Sequence, residues 1–442
     1  MKLSDFYNKK ILVVVPHQDD EINLAGTLIL SLAKKADVFI LYATEGNFLF
    51  SSKIRKNEAI RACKKLGVDD GHVLFLQYPD QPYDQDTHMY NKKTNWKDKN
   101  GKNFNLNDLV CDIQNKIEIL LPEVILCVDL DFHPDHIMTS LCTEKAIGNI
   151  LSKKGDYHPT VLKGFTYENA YHGPADYNDV VEKGMYIDYD RHGVSRRNVY
   201  YNRKNAIRIM PDENAISRNL QKNGVYRAIK EHKSQVLVER AFRIINPDLV
   251  FWKRNTDNLI FEANVDVSSG EKEYLMDFLI NDTSNVLNGD KREIVYDESI
   301  WIPEKTDVRK NINISFDKMQ KVGKILIYHG NNRKKDLENI NIVVNGKRYI
   351  PEKKDRVSVL CFADGIDTIN VNIQAISENP ENGFSEIEIL PPEPQNMDRI
   401  VYIENKSRNL SSAQRLINRV INEADIIAAK AYRKVFMKRV DR

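Results

Sequence analysis

The chain contains no run approaching the roughly 20 apolar residues that a membrane-spanning helix needs. Its first residues, Met-Lys-Leu-Ser-Asp-Phe-Tyr-Asn-Lys-Lys, lack the apolar core and cleavage site of a secretory signal. Cysteine is scarce. Cys63, Cys111, Cys127, Cys142 and Cys361 are odd in number, scattered and never in a CxxC pair, so no disulfide framework is read and the expectation is reduced, buried thiols. Net charge is almost absent, with 65 Lys plus Arg against 63 Asp plus Glu, which leaves no case for a nucleic-acid partner on bulk charge. Internal repeats and low-complexity tracts are missing as well. These absences together predict a cytoplasmic protein. At 442 residues, and roughly 150 residues per domain, two or three domains are expected.

What the chain does have begins at Ile11-Leu-Val-Val-Val-Pro-His-Gln-Asp-Asp-Glu21. Five apolar residues, four of them β-branched, end in proline and a polar, titratable cluster, which reads as a buried strand delivering side chains at its carboxyl end. Ile22–Lys35 then has helical spacing. Asp37–Thr44 and Val73–Gln77 read as further strands, with a helix over Lys53–Leu66 stopped by Gly67. This alternation predicts a parallel sheet with helices on both faces. The polar stretch Pro79–Asn103 is long enough to be a lid or an insertion. A helix over Leu106–Leu121 and a strand over Glu123–Leu130 follow, leading into Asp131-Phe-His-Pro-Asp-His136 and a helix to about Lys153. Phe165–Ala170 could be a fifth strand, Tyr171–Arg203 is a second long stretch, and Asn214–Asn246 reads as a long helix carrying His232-Lys-Ser-Gln235.

Two polar clusters thus sit at the ends of two apolar strands of one sheet, where open α/β sheets bind ligands. Each alone has an ordinary explanation, since Asp-Asp-Glu before a helix serves as a cap and complements the helix dipole. If the strands are neighbours, the clusters converge. The first can supply His17 and one aspartate, the second a histidine, to a divalent metal with an open position. The remaining aspartate could accept a proton from water and the remaining histidine could stabilise an oxyanion. A receiver-like magnesium pocket is the competing reading, but an oxygen-preferring ion would not select the histidines.

Pro16-His-Gln-Asp-Asp-Glu21, Arg55-Lys-Asn-Glu58 on a helix ending Leu66-Gly67, His133-Pro-Asp-His136 and, more weakly, His232-Lys-Ser-Gln235 resemble the PIG-L/LmbE-type deacetylase family over about residues 9–250. The resemblance implies a Rossmann-like fold and zinc-dependent removal of the N-acetyl group from N-acetylglucosamine units of glycoconjugates. It implies His17, Asp20 and His136 as Zn²⁺ ligands, Asp19 as general base, His133 as oxyanion stabiliser and Asp135 as the residue orienting it. Arg55 and Asp80 are implied at the substrate, and Glu45, after the second strand, either touches substrate or caps a helix. Gln18 departs from the proline usual there. A catalytically inactive carbohydrate-binding protein on the same fold is the alternative. Tyr90, Trp96 and the tyrosines of Tyr167–Tyr201 could wall a sugar pocket or form core, and His232 reads as a helix-packing residue. His72, His88, His158 and His329 read as solvated, while His172 and His192 have no clear role.

From Leu259 to Leu390 the pattern changes to short alternating segments: Leu259–Val267, Tyr274–Ile280, Ile312–Phe316, Lys324–His329, Ile340–Val344, Val357–Phe362, Thr368–Ala375 and Phe384–Ile389. They predict an antiparallel β-sandwich, weakly similar to galactose-binding discoidin-type modules. Pro391-Pro-Glu-Pro394 reads as a stiff linker. From Lys406 onward ten basic residues face three acidic ones. This amphipathic helix suits an anionic membrane surface, a protein partner or packing on its own domain. The predicted organisation is an α/β deacetylase-like domain at 1–253, a sandwich at 254–395, and a linker with a basic helix at 396–442. A membrane reading would suit a lipid-linked or cell-envelope glycan substrate.

Overall fold

The computed structural model of the chain describes residues 1–80, 96–97, 103–104, 106–129, 133–153, 156–166, 183–189, 195–202, 207–245, 249–280, 286–287, 300–329, 339–354, 357–376, 383–392 and 410–436. Tyr90, His88, His172 and His192 lie outside these residues, as does most of Tyr167–Tyr201. The side chains of Trp96 and of the paired strands Lys183–Tyr189 and Ser195–Asn202 are outside too.

Five strands are parallel: β1 (Lys10–Val15), β2 (Asp37–Thr44), β3 (Val73–Tyr78), β4 (Val124–Val128) and β5 (Thr160–Gly164). Two antiparallel strands, β6 (Ile207–Ile209) and β7 (Leu249–Arg254), complete the order β6-β7-β5-β4-β1-β2-β3. Leu12 and Val14 of β1 enter one apolar core, whereas Ile11, Val13 and Val15 enter the other. Such alternation is what a strand buried on both faces requires. Helices α1 (Asp20–Leu32), α2 (Ser52–Lys65) and α5 (Gly224–Ile229) cover one face; α3 (Leu106–Leu120) and α4 (Pro134–Leu151) cover the other. The chain reverses direction across the sheet between β1 and β4, which are paired directly from Ile11↔Val124 to Val14↔Cys127. Both polar clusters therefore emerge side by side at a topological switch point.

The second sheet is antiparallel throughout. β8 (Asn264–Val267), β9 (Asn311–His329), β10 (Asn339–Val344), β11 (Lys347–Tyr349) and β12 (Val357–Ile376) run in the order β8-β9-β12-β10-β11, with β13 (Phe384–Leu390) on β9. Its interior is continuous with the α3–α4 face of the first sheet. Gly148 of α4 meets the second unit backbone to backbone, so a Cβ there would stand 2.2 Å from the Asp277 carbonyl oxygen. Lys145 of the same helix donates to Asp277 at 3.2 Å.

Several expected boundaries move, each for a local reason. The fifth parallel strand is Thr160–Gly164, ahead of the expected Phe165–Ala170. Asn214–Asn246 breaks into short turns because Asn223 caps Tyr226 N and Val236 adopts a left-handed φ of 51°. Leu259–Glu262 is a 3₁₀ turn started by Asn258, whose side chain accepts from Ile260 N. Tyr274–Ile280 contains no strand, since Lys272–Leu275 is 3₁₀ and Asp277 caps Leu279 N. Ile312–Phe316 and Lys324–His329 are one strand, as are Val357–Phe362 and Thr368–Ala375; irregular register at Ser315/Gln320 and Val322/Lys324 absorbs the polar residues between them. Cys111 and Cys361 are exposed, while the other three thiols are buried as expected. His329 is also buried, bonded to Ser358 Oγ at 2.8 Å.

Candidate metal centre and active site

The turn after β1 and the first turns of α1 and α4 build the site. Asp20 opens α1, and its Oδ2 lies 3.1 Å from His17 Nδ1 and 3.2 Å from His136 Nε2. Ligand atoms around one tetrahedral ion at about 2.0–2.1 Å are separated by roughly 3.3 Å. The three donors, two imidazole nitrogens and one carboxylate oxygen, fit a divalent transition ion in type and spacing. Each histidine is steadied from behind: His17 Nε2 contacts Asp135 Oδ2 at 2.9 Å, and His136 Nδ1 contacts Thr166 Oγ1 at 2.9 Å. Outer partners of this kind fix the tautomer and aim the ligand nitrogen. The ligand atoms of His17, His133 and His136 also lie within 4.8 Å of one another, as do those of His17, Asp80 and Asp135.

Electrostatics agree with the geometry. Burial pulls the His17 imidazole down, but its bonds to Asp135 and Asp20 outweigh this and hold it well above its ordinary value. Burial would raise Asp20, yet His136 and His17 keep its carboxyl well below the usual range. Such a set attracts positive charge, whether a proton or a metal cation. Burial raises the Asp19 carboxyl against the opposing pull of Arg55, whose guanidinium donates to Asp19 Oδ1 at 3.1 Å and to Gln18 O at 2.6 Å. Asp19 itself adopts φ 156°, ψ −17°, sparsely used by non-glycine residues. His133, pushed down to about 3 by burial and by His17 beside it, is neutral near pH 7. Its Nδ1 accepts from Asp135 N at 3.2 Å, so the ring proton is carried by Nε2.

Not every residue implied by the resemblance sits as implied. Asp135 lies on His17, and its carboxylate stands 3.7 Å from His133 Nδ1, so its close partner is His17. Arg55 is buried against Asp19 and Gln18. Asp80 accepts from Gly46 N at 2.8 Å and Phe48 N at 2.9 Å, tying down the loop after β2 beside the site. Glu45 accepts from Asn47 at 2.6 Å in that loop. Gln18 donates its side-chain amide to Thr44 O at 2.7 Å beneath Gly46. One supporting residue, Thr166, was not foreseen. Thr166 has no motif around it, although its place just past the end of β5 is a signal of position. His232, expected as packing, is fully buried with Nε2 2.9 Å from Glu21 Oε1, and Ser234 is bonded to Glu58 on α2.

Residues 12–147 match the PIG-L family, described as GlcNAc-PI de-N-acetylase. The chain is similar to N-acetylglucosaminyl-phosphatidylinositol de-N-acetylase of Bos taurus, 33% identical over 78 residues, or 17% of this chain and 31% of that one. It is also similar to probable N-acetyl-alpha-D-glucosaminyl L-malate deacetylase 2 of Bacillus subtilis (strain 168), 25% identical over 170 residues, or 34% of this chain and 65% of that one. Both alignments span less than two thirds of the relative's own length. Among solved structures, N,N'-diacetylchitobiose deacetylase from Pyrococcus horikoshii aligns at TM-score 0.26 and 18% identity, covering 37% of this chain and 62% of that one. The family 32 CBM from C. perfringens NanJ aligns at TM-score 0.22 and 17% identity, covering 29% and 94%. With His17, Asp19, Asp20, Arg55, His133 and His136 all inside the matched stretch, residues 12–147 are a PIG-L family domain.

Proposed function

We propose that this chain is a zinc-dependent N-deacetylase that hydrolyses the acetamide of an N-acetylglucosamine-type sugar in a glycan or glycoconjugate. The observation carrying this reading is the position of Asp20 Oδ2 between His17 Nδ1 and His136 Nε2, with a second carboxylate, Asp19, adjacent in sequence and held by Arg55. His17, Asp20 and His136 would hold the ion, which when bound supplies Lewis acidity toward a water and the amide carbonyl. Asp19, with its carboxyl raised by burial, accepts the proton of the attacking water. His133 is neutral and donates from Nε2 to the oxygen that gains charge as water adds to the carbonyl carbon. The carbon–nitrogen bond then breaks, the amine takes up a proton, and acetate leaves. Aligned names of two deacetylases of N-acetylglucosaminyl compounds support the substrate class.

The test is to measure bound metal and acetate release from N-acetylglucosamine-containing substrates for the wild type and Asp19→Asn. Metal retention with acetate release reduced by about 10²–10⁴-fold in the variant supports a general base. Metal binding without acetate from any such substrate removes the enzyme reading, and wild-type turnover in Asp19→Asn removes Asp19 as base.

A further inference from the structure

Helix α6 (Ser412–Phe436) lies on the first unit by a mixed face of asparagines, Ala429 and the flanking Ile421 and Ile426. Asn418, Asn422 and Ala429 are buried. Asn418 accepts from Leu220 N at 3.3 Å and donates to Arg218 O. The Tyr226 hydroxyl donates to Asp425 at 2.9 Å and stands 3.2 Å from the Asn422 side-chain oxygen, and Lys230 pairs with Asp425 at 3.0 Å. Positions 418, 422, 425 and 429 share one face of the helix. The opposite side is aliphatic and open, with Leu416 63%, Val420 61%, Ile427 66% and Val435 70% exposed. Ala424 and Ala431, also exposed, continue the stripe between them. Along one border run Arg415, Arg419, Lys430, Arg433 and Lys434, all exposed, with Glu423 among them and Lys430 paired to Glu239 of the first unit. A helix packed on a globular unit ordinarily turns its apolar stripe inward. Here Ile421, Ile426 and Ala429 pack inward, yet Leu416, Val420 and Ile427 are left outside.

We propose that α6 seats the protein on an anionic bilayer surface, with Leu416, Val420 and Ile427 entering the acyl boundary and the bordering arginines and lysines meeting lipid phosphates. Side chains of this kind, aliphatic beside long basic, suit the interface between headgroups and hydrocarbon. Charge selects this occupant over a second copy. Self-pairing along the stripe would set two rows of five cations and one acid, Glu423, against one another, while Asp425 is engaged by Tyr226 and Lys230. An anionic surface meets the row with opposite charge. The surface also reaches the rim of the metal site: the Arg433 guanidinium lies 4.9 Å from the ring of Phe50, next to Phe48 and Leu49, which are 47% and 40% exposed. That loop supplies the two N–H groups that hold Asp80. The proposal holds whatever reaction the site performs.

The experiment is co-sedimentation of the full chain with vesicles of phosphatidylcholine alone and of phosphatidylcholine with phosphatidylglycerol. Binding to the anionic vesicles is expected to be at least about tenfold tighter and to weaken as salt is raised. Leu416→Ser with Ile427→Ser should lower it by about tenfold or more at any salt. Arg419→Gln with Lys434→Gln should lower it mainly at low salt. All four side chains are exposed, so thermal melting of both variants should match the wild type. Failure of the full chain to bind anionic vesicles overturns the proposal. Unchanged binding by the serine variant does so too, as does a stripe-dependent dimer in light scattering without vesicle binding.

Discussion

Replacing His232 with leucine while Glu21 remains removes one partner of an ion pair that is wholly out of water. Both side chains are 0% exposed, and Nε2 stands 2.9 Å from Oε1. At that distance, with an effective dielectric of 20, the attraction is about 6 kcal/mol before desolvation is subtracted. Breaking a buried pair on one side typically costs about 3–5 kcal/mol, because the remaining charge is left without compensation. Burial lowers the His232 pKa, but Glu21 and Asp19 raise it further, so the net shift is upward. A raised histidine stabilises fully below its ordinary value and loses that contribution as pH rises through the folded value. The measurement therefore belongs near pH 6. For a unit of 150–250 residues, where 1 kcal/mol moves the melting point by about 2–4 °C, the variant should melt roughly 6–20 °C lower. Adding Glu21→Gln should recover a large part, giving a coupling energy above about 1.5 kcal/mol in a double-mutant cycle from urea melts. A single-variant cost under about 1 kcal/mol, or coupling near zero, would refute the reasoning.

Three further outcomes follow from the same structure. Thr166→Val removes the hydroxyl on His136 Nδ1 and should weaken metal affinity about 10–100-fold in a chelator competition, with little change in the metal-free melting point. Gly46→Ala should cost about 1–2 kcal/mol in urea from its φ of +64° alone. It should also depress turnover, because the added Cβ falls 2.1 Å from Gln18 Oε1 and 3.3 Å from Arg55 Cζ; Gln18→Ala in the same chain should relieve only the contact. Burial pushes the carboxyls of Glu386 and Asp277 up, Asp277 to about 6. Acids raised in this way stabilise below their ordinary values and lose the contribution as pH rises through the folded ones. Wild-type stability should therefore fall from about pH 4 to pH 6 through Asp277 and on upward through Glu386, and Glu386→Gln should flatten the fall in pH-dependent urea melts. A steeper fall in the variant would exclude it.

Much of the first unit is legible because its physics is local. β1 and β4 are unbroken apolar runs ending in a proline-bearing turn, and nothing else buries such runs as economically as a parallel sheet. Their adjacency is not local, and it is what turns two cap-like clusters into one His/Asp cluster. Asp135 shows the limit: the resemblance assigns it to His133, whereas helical geometry in α4 delivers it to His17 from the other cluster. The second sheet was harder, since β9 and β12 pass through polar residues that strand patterns treat as breaks, and their register shifts are visible only against a partner. The orientation of α6 was hidden for the same reason, because asparagines look solvated until a carbonyl and a tyrosine are seen to receive them.

Helix α4 joins two places that are otherwise far apart. Its first turn carries Asp135 and His136, and its last turns lie against the second unit, where Gly148 touches the Asp277 backbone. From His136 to Gly148 the rise is about 18 Å at 1.5 Å per residue. A helix of that length is stiff, and Gly148 leaves no side chain to cushion the junction. The strand-rich unit is thus the footing of the helix whose other end carries the His136 imidazole.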